Sequence, residues 1–173
     1  MGPRSVSEAV ADAGPLTHLA EIGCFPLLSI FARLHIPDAV WRETVGQERV
    51  SRKQVLALGT VERHRPHRLK LSRFIRENGL ESLHAGERES LYVCRETGIS
   101  IVLTDDLAVR EAARNLDLTP VGSLGIVVRA CRLGQLSLTE AETRIRDLYE
   151  VSSLFVTEAI VSLAIRELRR ARA

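Results

Sequence analysis

The chain has 173 residues, of which 45% are hydrophobic and 27% are charged, and its formal net charge is +2. This composition is typical of a globular domain and excludes a disordered chain, while so small a net charge by itself indicates no partner. Aromatic residues make up only 4% of the chain, so the core must be built from aliphatic side chains, which suits an α/β layer fold.

The first half of the chain alternates short apolar runs with amphipathic segments. We predict a strand over residues 6–12, a helix opened by Gly14 and Pro15, a strand over 34–36, a helix whose first turn holds Pro37, and a helix over 50–60. Residues 68–71 are predicted to form a further strand, because Leu69 and Leu71 alternate with basic residues.

The second half continues this alternation. We predict a helix over 86–97, a strand over 99–104, a helix over 107–116, a strand over 120–122, a helix capped by Ser123, a helix opened by a capping box from Thr139 to Glu142, and a final helix capped by Thr157. Strands that alternate with helices imply parallel β-α-β units and a sheet covered on both faces. Since no linker divides the chain, we predict one domain over residues 1–173.

The three cysteines, Cys24, Cys94 and Cys131, lie among apolar neighbours and show no zinc-ligand spacing. They predict buried free thiols in a reducing compartment. We expect no signal peptide, and no apolar stretch approaches the about 20 residues of a membrane-spanning helix. The expectation is therefore a cytoplasmic protein with no membrane partner.

Three aspartates lie at the ends of predicted strands. Asp12 ends the first strand, and Asp105 and Asp106 follow the strand over 99–104. Because ligands of such folds bind outside the carboxyl ends of the strands, these side chains are expected at one edge of the sheet. The alternative for Asp12 and Asp106 is that each caps the helix that follows it.

Two glutamates, Glu43 and Glu87, lie near the starts of predicted helices. Taken singly, each is explained as favourable charge against a helix dipole. If both converge with Asp12 and Asp106, the four carboxylates would raise one another's pKa, and a divalent cation would relieve the repulsion. Oxygen ligands without cysteine or clustered histidine favour Mg²⁺ or Mn²⁺, and such a site is suited to hydrolysing phosphodiester bonds.

Basic residues are concentrated in two runs. One ends the chain and holds Arg166, Arg169, Arg170 and Arg172, and the other consists of Arg63, His64, Arg65, His67, Arg68, Lys70, Arg73 and Arg76. The second run is our preferred contact with a nucleic-acid backbone, above all through Arg63, Arg65, Arg68 and Lys70. The alternative for both runs is a set of solvated helix faces.

Five segments of the sequence carry a family resemblance through their order. They are DAGPLTHL from Asp12, IPDAVWRE from Ile36, AGERES from Ala85, LTDDLAVR from Leu103 and VGSLGI from Val121. Together they resemble the PIN-domain family, in the branch with an Asp-x-x-Pro-Leu start. One departure is Ala13, where the family often has Ser or Thr, which removes a possible hydrogen bond near the metal.

The resemblance implies a three-layer α/β/α fold with a short, mostly parallel sheet, and a Mg²⁺- or Mn²⁺-dependent endoribonuclease. It implies that the acidic quartet is Asp12, Glu43, Glu87 and Asp106, that the metal ligands are Asp12, Glu87, Asp106 and the neighbouring Asp105, and that Thr104 and Arg110 are auxiliary. Many members resemble VapC, the toxin of a toxin–antitoxin pair. The implied partners are therefore RNA, an antitoxin protein and a second copy of the chain.

Two other functions stay open at this stage. A non-catalytic PIN-like binding module is suggested by Ala13 alone. A receiver-type phosphoacceptor domain also has aspartates at strand ends, but it needs a lysine after a late strand, and residues 122–125 contain none.

Three further features have two interpretations each. His18 either contacts substrate or packs near the surface, and Trp41 either stacks on a base or packs in the core or a dimer interface. The apolar C-terminal stretch is expected to cover the sheet or a neighbouring subunit, and it consists of Leu148, Val151, Leu154, Phe155, Val156 and Ile160.

Overall fold

A computed structural model describes residues 7–170 of the chain. Five strands form one sheet, and all its pairings are parallel. The strands are β1 (Ala9–Ala11), β2 (Leu34–Pro37), β3 (Val61–His64), β4 (Ile101–Leu103) and β5 (Thr119–Val121), in the spatial order β3-β2-β1-β4-β5. The predicted parallel α/β sheet is confirmed.

Helices connect consecutive strands and cover the sheet. They are α1 (Ala13–Glu21), a 3₁₀ helix (Phe25–Ile30), α2 (Asp38–Thr44), α3 (Arg52–Ala57), α4 (Arg68–Glu77), α5 (Ala85–Thr97), α6 (Leu107–Asn115), α7 (Ser123–Arg132), α8 (Leu138–Glu150) and α9 (Glu158–Arg170). Most predicted helices agree with these bounds to within a few residues.

Two hydrophobic cores lie on opposite faces of the sheet. Alternate residues of β1 point to different faces, so Ala9 and Ala11 join one core while Val10 joins the other. The first core contains buried residues of α1, α7, α8 and α9, and the second contains residues of α4, α5 and α6. The chain therefore has the three-layer α/β/α arrangement that the sequence predicts.

The central strand β1 marks a reversal of strand order. From β1 the chain adds β2 and β3 on one side, and then crosses to add β4 and β5 on the other. The carboxyl ends of β1 and β4 therefore open a crevice between loops that diverge in opposite directions, the usual ligand position in such sheets. Asp12 follows β1 and Asp105 follows Thr104 after β4, so both lie at this crevice.

The strand predicted over 68–71 is wrong, because these residues begin helix α4. The strand of this region is β3, which precedes them. Leu69 is 75% exposed, whereas Phe74 is buried in the second core. Leu71 and Ile75 are partly buried and pack against this core. The burial therefore follows the helical spacing of three to four residues, and the local alternation of Leu69 and Leu71 misled the prediction.

Two predicted helix caps are corrected. Ser123 is the first residue of α7 and does not cap it, and the position before it is Gly122. The capping box of α8 is formed by Ser137 and Glu140, so it begins two residues before the predicted one. Thr157 does accept a hydrogen bond from the Ile160 N–H at 3.4 Å, as expected of the cap of α9.

The structure also gives the burial of the cysteines and of the apolar C-terminal stretch. Cys24, Cys94 and Cys131 are buried free thiols, as predicted. Leu148 and Leu154 join the first core with Val156 packed against it, whereas Val151, Phe155 and Ile160 are exposed. Within residues 7–170, no helix is both long and apolar enough to cross a membrane. The start of the predicted first strand, at Val6, lies outside the described residues.

Candidate active site

A cleft of about 780 Å³ opens at the carboxyl ends of β1 and β4. It contains every acid that the sequence predicted for the site, namely Asp12, Glu43, Glu87, Asp105 and Asp106. Its other lining residues are Ala13, Gly14, His18, Gln47, Arg49, His84, Ala85, Ser153, Leu154 and Phe155. Carboxylates from four separate segments of the chain thus face one cavity. The structure brings together the acids that the sequence analysis grouped.

Asp12 is the most buried of these acids, with 6% of its surface exposed. One carboxylate oxygen accepts a hydrogen bond from the Ala13 N–H at 2.8 Å, and the other accepts one from the Thr104 hydroxyl at 3.0 Å. Burial, together with the negative charges of Glu87 and Glu43, raises the pKa of Asp12 to about 7, although the hydrogen bonds from Ala13 and Thr104 lower it in part. A positive charge beside this buried carboxylate and its two acidic neighbours would stabilise its ionised form.

Thr104 connects two of the acids. Its hydroxyl is fully buried, donates to Asp12 and accepts a hydrogen bond from the Asp106 N–H at 3.3 Å. The Asp106 carboxylate accepts a hydrogen bond from the Val109 N–H at 3.0 Å and so caps helix α6. The capping interpretation is thus correct for Asp106, and the same residue also lines the cleft. The two interpretations do not exclude each other, because a carboxylate has more than one acceptor position.

Glu87 and Glu43 come from two helices that pack closely. Glu87 accepts a hydrogen bond from the His84 N–H at 2.7 Å at the start of α5. A Cβ atom at the neighbouring Gly86 would lie 3.0 Å from a Glu43 carboxylate oxygen and 3.2 Å from a Val40 methyl group. Gly86 therefore allows α2 to approach α5 closely enough for both glutamates to line one cleft.

Glu89 fixes the same helix pair, and the sequence analysis gave it no role. Its carboxylate, on α5, accepts a hydrogen bond at 2.8 Å from the Ala39 N–H in the first turn of α2. Burial raises the pKa of Glu89, and this hydrogen bond opposes the shift. Glu89 thus caps a helix that lies 50 residues earlier in the chain. A carboxylate that caps a distant helix has no local sequence signal.

Asp105 differs from the other acids because its carboxylate has three side-chain and backbone partners, which belong to two other helices. It accepts hydrogen bonds from the Ser123 N–H at 2.7 Å and the Ser123 hydroxyl at 2.6 Å, and it contacts His18 Nδ1 at 2.8 Å. A Cβ atom at Gly122 would lie 2.7 Å from an Asp105 oxygen, so only glycine fits there. Asp105 therefore joins the β4 loop to α1 and α7, and it holds the ring of His18 at the cleft.

Arg110, the other auxiliary residue, acts on the backbone. Its guanidinium donates to the Thr104 carbonyl at 3.2 Å, and it is not among the residues that line the cleft. Burial lowers its pKa, and the nearby Arg114 lowers it further. In the structure Arg110 thus contacts the backbone at the end of β4, and its auxiliary role stays a prediction.

The basic residues predicted to contact nucleic acid lie outside the cleft. Arg63 pairs with Asp38, with Nε at 2.7 Å, and stacks 5.0 Å from the centre of the Trp41 ring. Arg65 lies 3.6 Å from Asp38 and Lys70 lies 3.7 Å from Glu96, while Arg68 is exposed at the start of α4. Of residues 7–170, the arginine that lines the cleft is Arg49.

The sequence analysis missed several lining residues because they come from loops without a motif. Gln47 and Arg49 follow α2, and Ser153, Leu154 and Phe155 follow α8. Ser153 donates to Glu21 at 2.7 Å from its N–H and at 2.8 Å from its hydroxyl. The C-terminal loop is thus anchored at the end of α1, and Phe155 stands at the rim of the cleft with 95% of its surface exposed.

The donor atoms of the cleft fit a hard divalent cation. Carboxylate oxygens dominate, and Asp12 is buried without a cationic partner. Within residues 7–170, no three of these acids bring one oxygen each within 4.8 Å of one another. In this structure at most two of these carboxylates can bind the same Mg²⁺ directly, because oxygens that lie about 2.0–2.1 Å from one ion are within about 4.2 Å of each other. The arrangement is therefore open, with room for the several waters that Mg²⁺ keeps. It does not suit a closed tetrahedral site.

A family model described as a PIN domain matches residues 8–170, which include all five segments of the sequence analysis. No curated protein and no solved structure matched the chain significantly.

Proposed function

The chain belongs to the PIN-domain family, whose members are generally nucleases, and we propose that it is a metal-dependent endoribonuclease that hydrolyses RNA phosphodiester bonds in the acidic cleft. The observation that carries the proposal is the convergence of four carboxylates with a buried Asp12 whose pKa is raised to about 7. Such a cluster is unfavourable by itself and is stabilised by a divalent cation.

We assign Asp12, Glu87 and Asp106 as the residues that would hold Mg²⁺ or Mn²⁺, no more than two of them directly and the rest through metal-bound water. Such a cation would lower the pKa of a bound water and offset charge on the reacting phosphate. Thr104 fixes the positions of Asp12 and Asp106 relative to each other, because its hydroxyl donates to the Asp12 carboxylate and accepts from the Asp106 N–H. The assignment of these residues rests on family resemblance together with their shared cleft.

Glu43 is proposed to accept the proton of the attacking water. Among the described residues, none donates a hydrogen bond to its carboxylate, whereas Glu87, Asp105 and Asp106 each accept at least one from the backbone. Its carboxylate is therefore the freest of the group to accept a proton at the cleft. Asp105 is proposed as a positioning residue that holds His18 toward the substrate rather than as a ligand.

RNA would reach the cleft through basic side chains. Arg49 lines the cavity and is proposed as the nearest phosphate contact. Arg68 and Lys70, exposed on α4, together with Arg63 and Arg65, are proposed as contacts for more distant parts of the RNA backbone.

We further propose that the enzyme is a cytoplasmic, dimeric toxin of the VapC type with a cognate antitoxin. Resemblance to that branch is the main support. The exposed Phe155 at the cleft rim adds an apolar anchor of the kind that protein interfaces use. Finding a small DNA-binding protein encoded by the adjacent open reading frame, and showing that it binds this chain and blocks cleavage, would test this part separately.

The nuclease proposal is tested with end-labelled single-stranded and structured RNAs, incubated with the purified chain in Mg²⁺, Mn²⁺ or EDTA. We expect cleavage only with metal, and we expect Asp12→Asn and Asp106→Asn each to reduce the rate by more than about 100-fold, since even residues behind metal ligands are worth 10–100-fold. Glu111→Gln is the matched control, because Glu111 is an exposed acid on α6 outside the cleft.

Two results would contradict the proposal. Equal cleavage by wild type, Asp12→Asn and Asp106→Asn would remove the acids from the reaction. No cleavage by wild type in either metal, across the RNA panel, would support a non-catalytic binding module.

A further inference from the structure

A second polar cluster lies between strands β2 and β3, away from the cleft. His35 is its centre, with 3% of its surface exposed. Its Nε2 lies 2.8 Å from a Glu8 carboxylate oxygen, and its Nδ1 lies 2.7 Å from His64 Nε2. Both ring nitrogens of a buried histidine are therefore fixed by neighbours, and one neighbour is a second histidine.

A third side chain completes the cluster. In the β2–β3 register, His35 is opposite Glu62 and Pro37 is opposite His64. The side chains of His35, Glu62 and His64 therefore share one face of the sheet. A Glu62 oxygen lies 3.7 Å from His64 Nε2, and one ligand atom from each of the three residues lies within 4.8 Å of the others. Glu62 also contacts Arg33 at 3.4 Å, on an exposed surface.

The hydrogen bonding prepares His35 as a ligand. A carboxylate is an acceptor, so Glu8 fixes the proton of His35 on Nε2 and leaves the lone pair of Nδ1 facing His64. Histidines that bind metals almost always donate their other N–H to a carboxylate or carbonyl in this way. The Glu8–His35 pair therefore has the arrangement of a metal ligand with its orienting partner.

We propose that His35, His64 and Glu62 form a zinc site that joins β2 to the edge strand β3, with Glu8 orienting His35. Two imidazoles and a carboxylate are a ligand set that zinc uses, and three protein ligands leave a fourth position for water. Zinc lies about 2.0–2.1 Å from each nitrogen, which requires the nitrogens to be roughly 3.3 Å apart in a tetrahedral site. The two nitrogens are 2.7 Å apart in the structure, so on zinc binding they would move apart by about 0.6 Å and the rings would turn until both lone pairs point at the ion.

This site is separate from the cleft in place and in chemistry. None of its three residues lines the cleft, and the cleft offers mainly carboxylates, which prefer Mg²⁺ or Mn²⁺. Strand β3 has one neighbouring strand and leads through residues 65–67 into the basic helix α4. A metal at this position would fasten the edge strand and the start of that helix.

To test the proposal, Zn²⁺ alone is titrated into the full, metal-free chain at neutral pH. Binding is monitored through the melting temperature and through ¹⁵N NMR of the histidine side chains. We expect one equivalent of Zn²⁺ to raise the melting temperature and to shift the signals of His35 Nδ1 and His64 Nε2. Glu62→Gln and His64→Gln should each weaken Zn²⁺ binding by at least about tenfold. Glu62 is exposed, so its variant is expected to fold.

Two controls make the result specific. His67→Gln changes an exposed histidine three positions from His64 and should bind Zn²⁺ as wild type does. Asp12→Asn should keep the histidine shifts, so the zinc site is judged independently of the nuclease. The proposal is overturned if the His35 and His64 signals do not move, or if Zn²⁺ binding depends on Asp12 but not on His64 and Glu62.

Discussion

The acidic cleft and the histidine cluster (Glu8, His35, Glu62 and His64) both place buried ionisable groups beside the same sheet. The two regions differ in how these groups are paired. In the histidine cluster each ring nitrogen of His35 has a partner at 2.7–2.8 Å. In the cleft, Asp12 has hydrogen-bond donors, but its burial and the nearby charges of Glu87 and Glu43 raise its pKa. The ionisable groups of the histidine cluster are paired with one another, whereas the cleft places several acids together, and we propose that a divalent cation compensates their charge.

This difference distinguishes a site kept for stability from one kept for function. Charges held together without compensation reduce stability, and such strain is common where a ligand completes the site. The contrast predicts opposite effects of substitutions in the two regions.

The largest expected effect in the metal-free protein is a stabilisation by Asp12→Asn that grows with pH. The folded-state pKa of Asp12 is about 7, above the about 3.9 of an unfolded aspartate, so the folded protein binds the proton more tightly. Wild type therefore loses stability as pH rises toward 7, and the loss is complete above that pH. At 1.36 kcal/mol per pKa unit, we expect the stability gap between variant and wild type to widen by roughly 2–3 kcal/mol from about pH 5 to about pH 8.

The measurement is urea unfolding in EDTA at a series of pH values. His64→Gln is the counterpart from the histidine cluster and should destabilise the protein, by about 1–3 kcal/mol, because it leaves Nδ1 of the buried His35 poorly paired. A parallel pH dependence of wild type and Asp12→Asn would show that Asp12 is not the source of the strain.

A smaller effect is expected where a cleft acid is held by a hydroxyl. Ser123→Ala removes the 2.6 Å hydrogen bond to Asp105, which loosens the Asp105–His18 pair. We expect RNA cleavage to slow by about tenfold, with the fold retained, as is usual for groups that orient active-site residues.

Ser137→Ala provides the matched control for this prediction. Ser137 caps α8, outside the cleft, so its loss should cost about 1 kcal/mol of stability without affecting cleavage by the folded enzyme. If both serine variants reduce the cleavage rate equally at matched folded fraction, the Asp105–His18 pair has no positioning role.

The smallest expected effect separates the arginine in the cleft from those beside it. Arg49→Ala should weaken RNA binding several-fold and reduce the slope of log affinity against log salt by about 0.7, the amount for one phosphate contact on a single strand. Arg63→Ala should change binding less, because Arg63 already pairs with Asp38 and stacks on Trp41. Filter binding in EDTA, where RNA is not cut, measures both, and a larger effect of Arg63→Ala would reverse this assignment.

Much of the fold was predictable because its signals are local. Strand β4 follows from a nearly continuous β-branched run, and Gly98 ends α5 with a φ of +74°, a conformation that favours glycine. Residues 68–71 were misassigned because two alternating leucines fit a strand over a short window, and only the later Phe74 and Ile75 show the helical period. The cap of α8 was displaced by two residues for a similar reason, since two overlapping Ser/Thr-x-x-Glu patterns occur there.

The sequence predicted which acids belong to the site, but it did not predict the hydrogen-bond partners of each acid. Asp105 and Asp106 are adjacent and chemically alike, and only the packing of α1 and α7 pairs Asp105 with His18 and Ser123. Glu89 capping a distant helix and Arg49 lining the cleft had no motif to reveal them. The histidine cluster was likewise absent from the sequence reasoning, because its ligand spacing arises only when β2 and β3 pair in register.

The sequence by itself therefore determined the alternation of strands and helices and the acids at the ends of β1 and β4, because each depends on neighbours within a few residues. It also determined the family, because the order of five short segments along the chain can be read without the fold. The tertiary structure decided which of those acids are free and which are bound. His18 and Asp105 are 87 positions apart, and their contact depends on how α1 crosses the end of β4. Contacts at that separation are set by the close packing of whole helices against the sheet, which no short window of sequence contains.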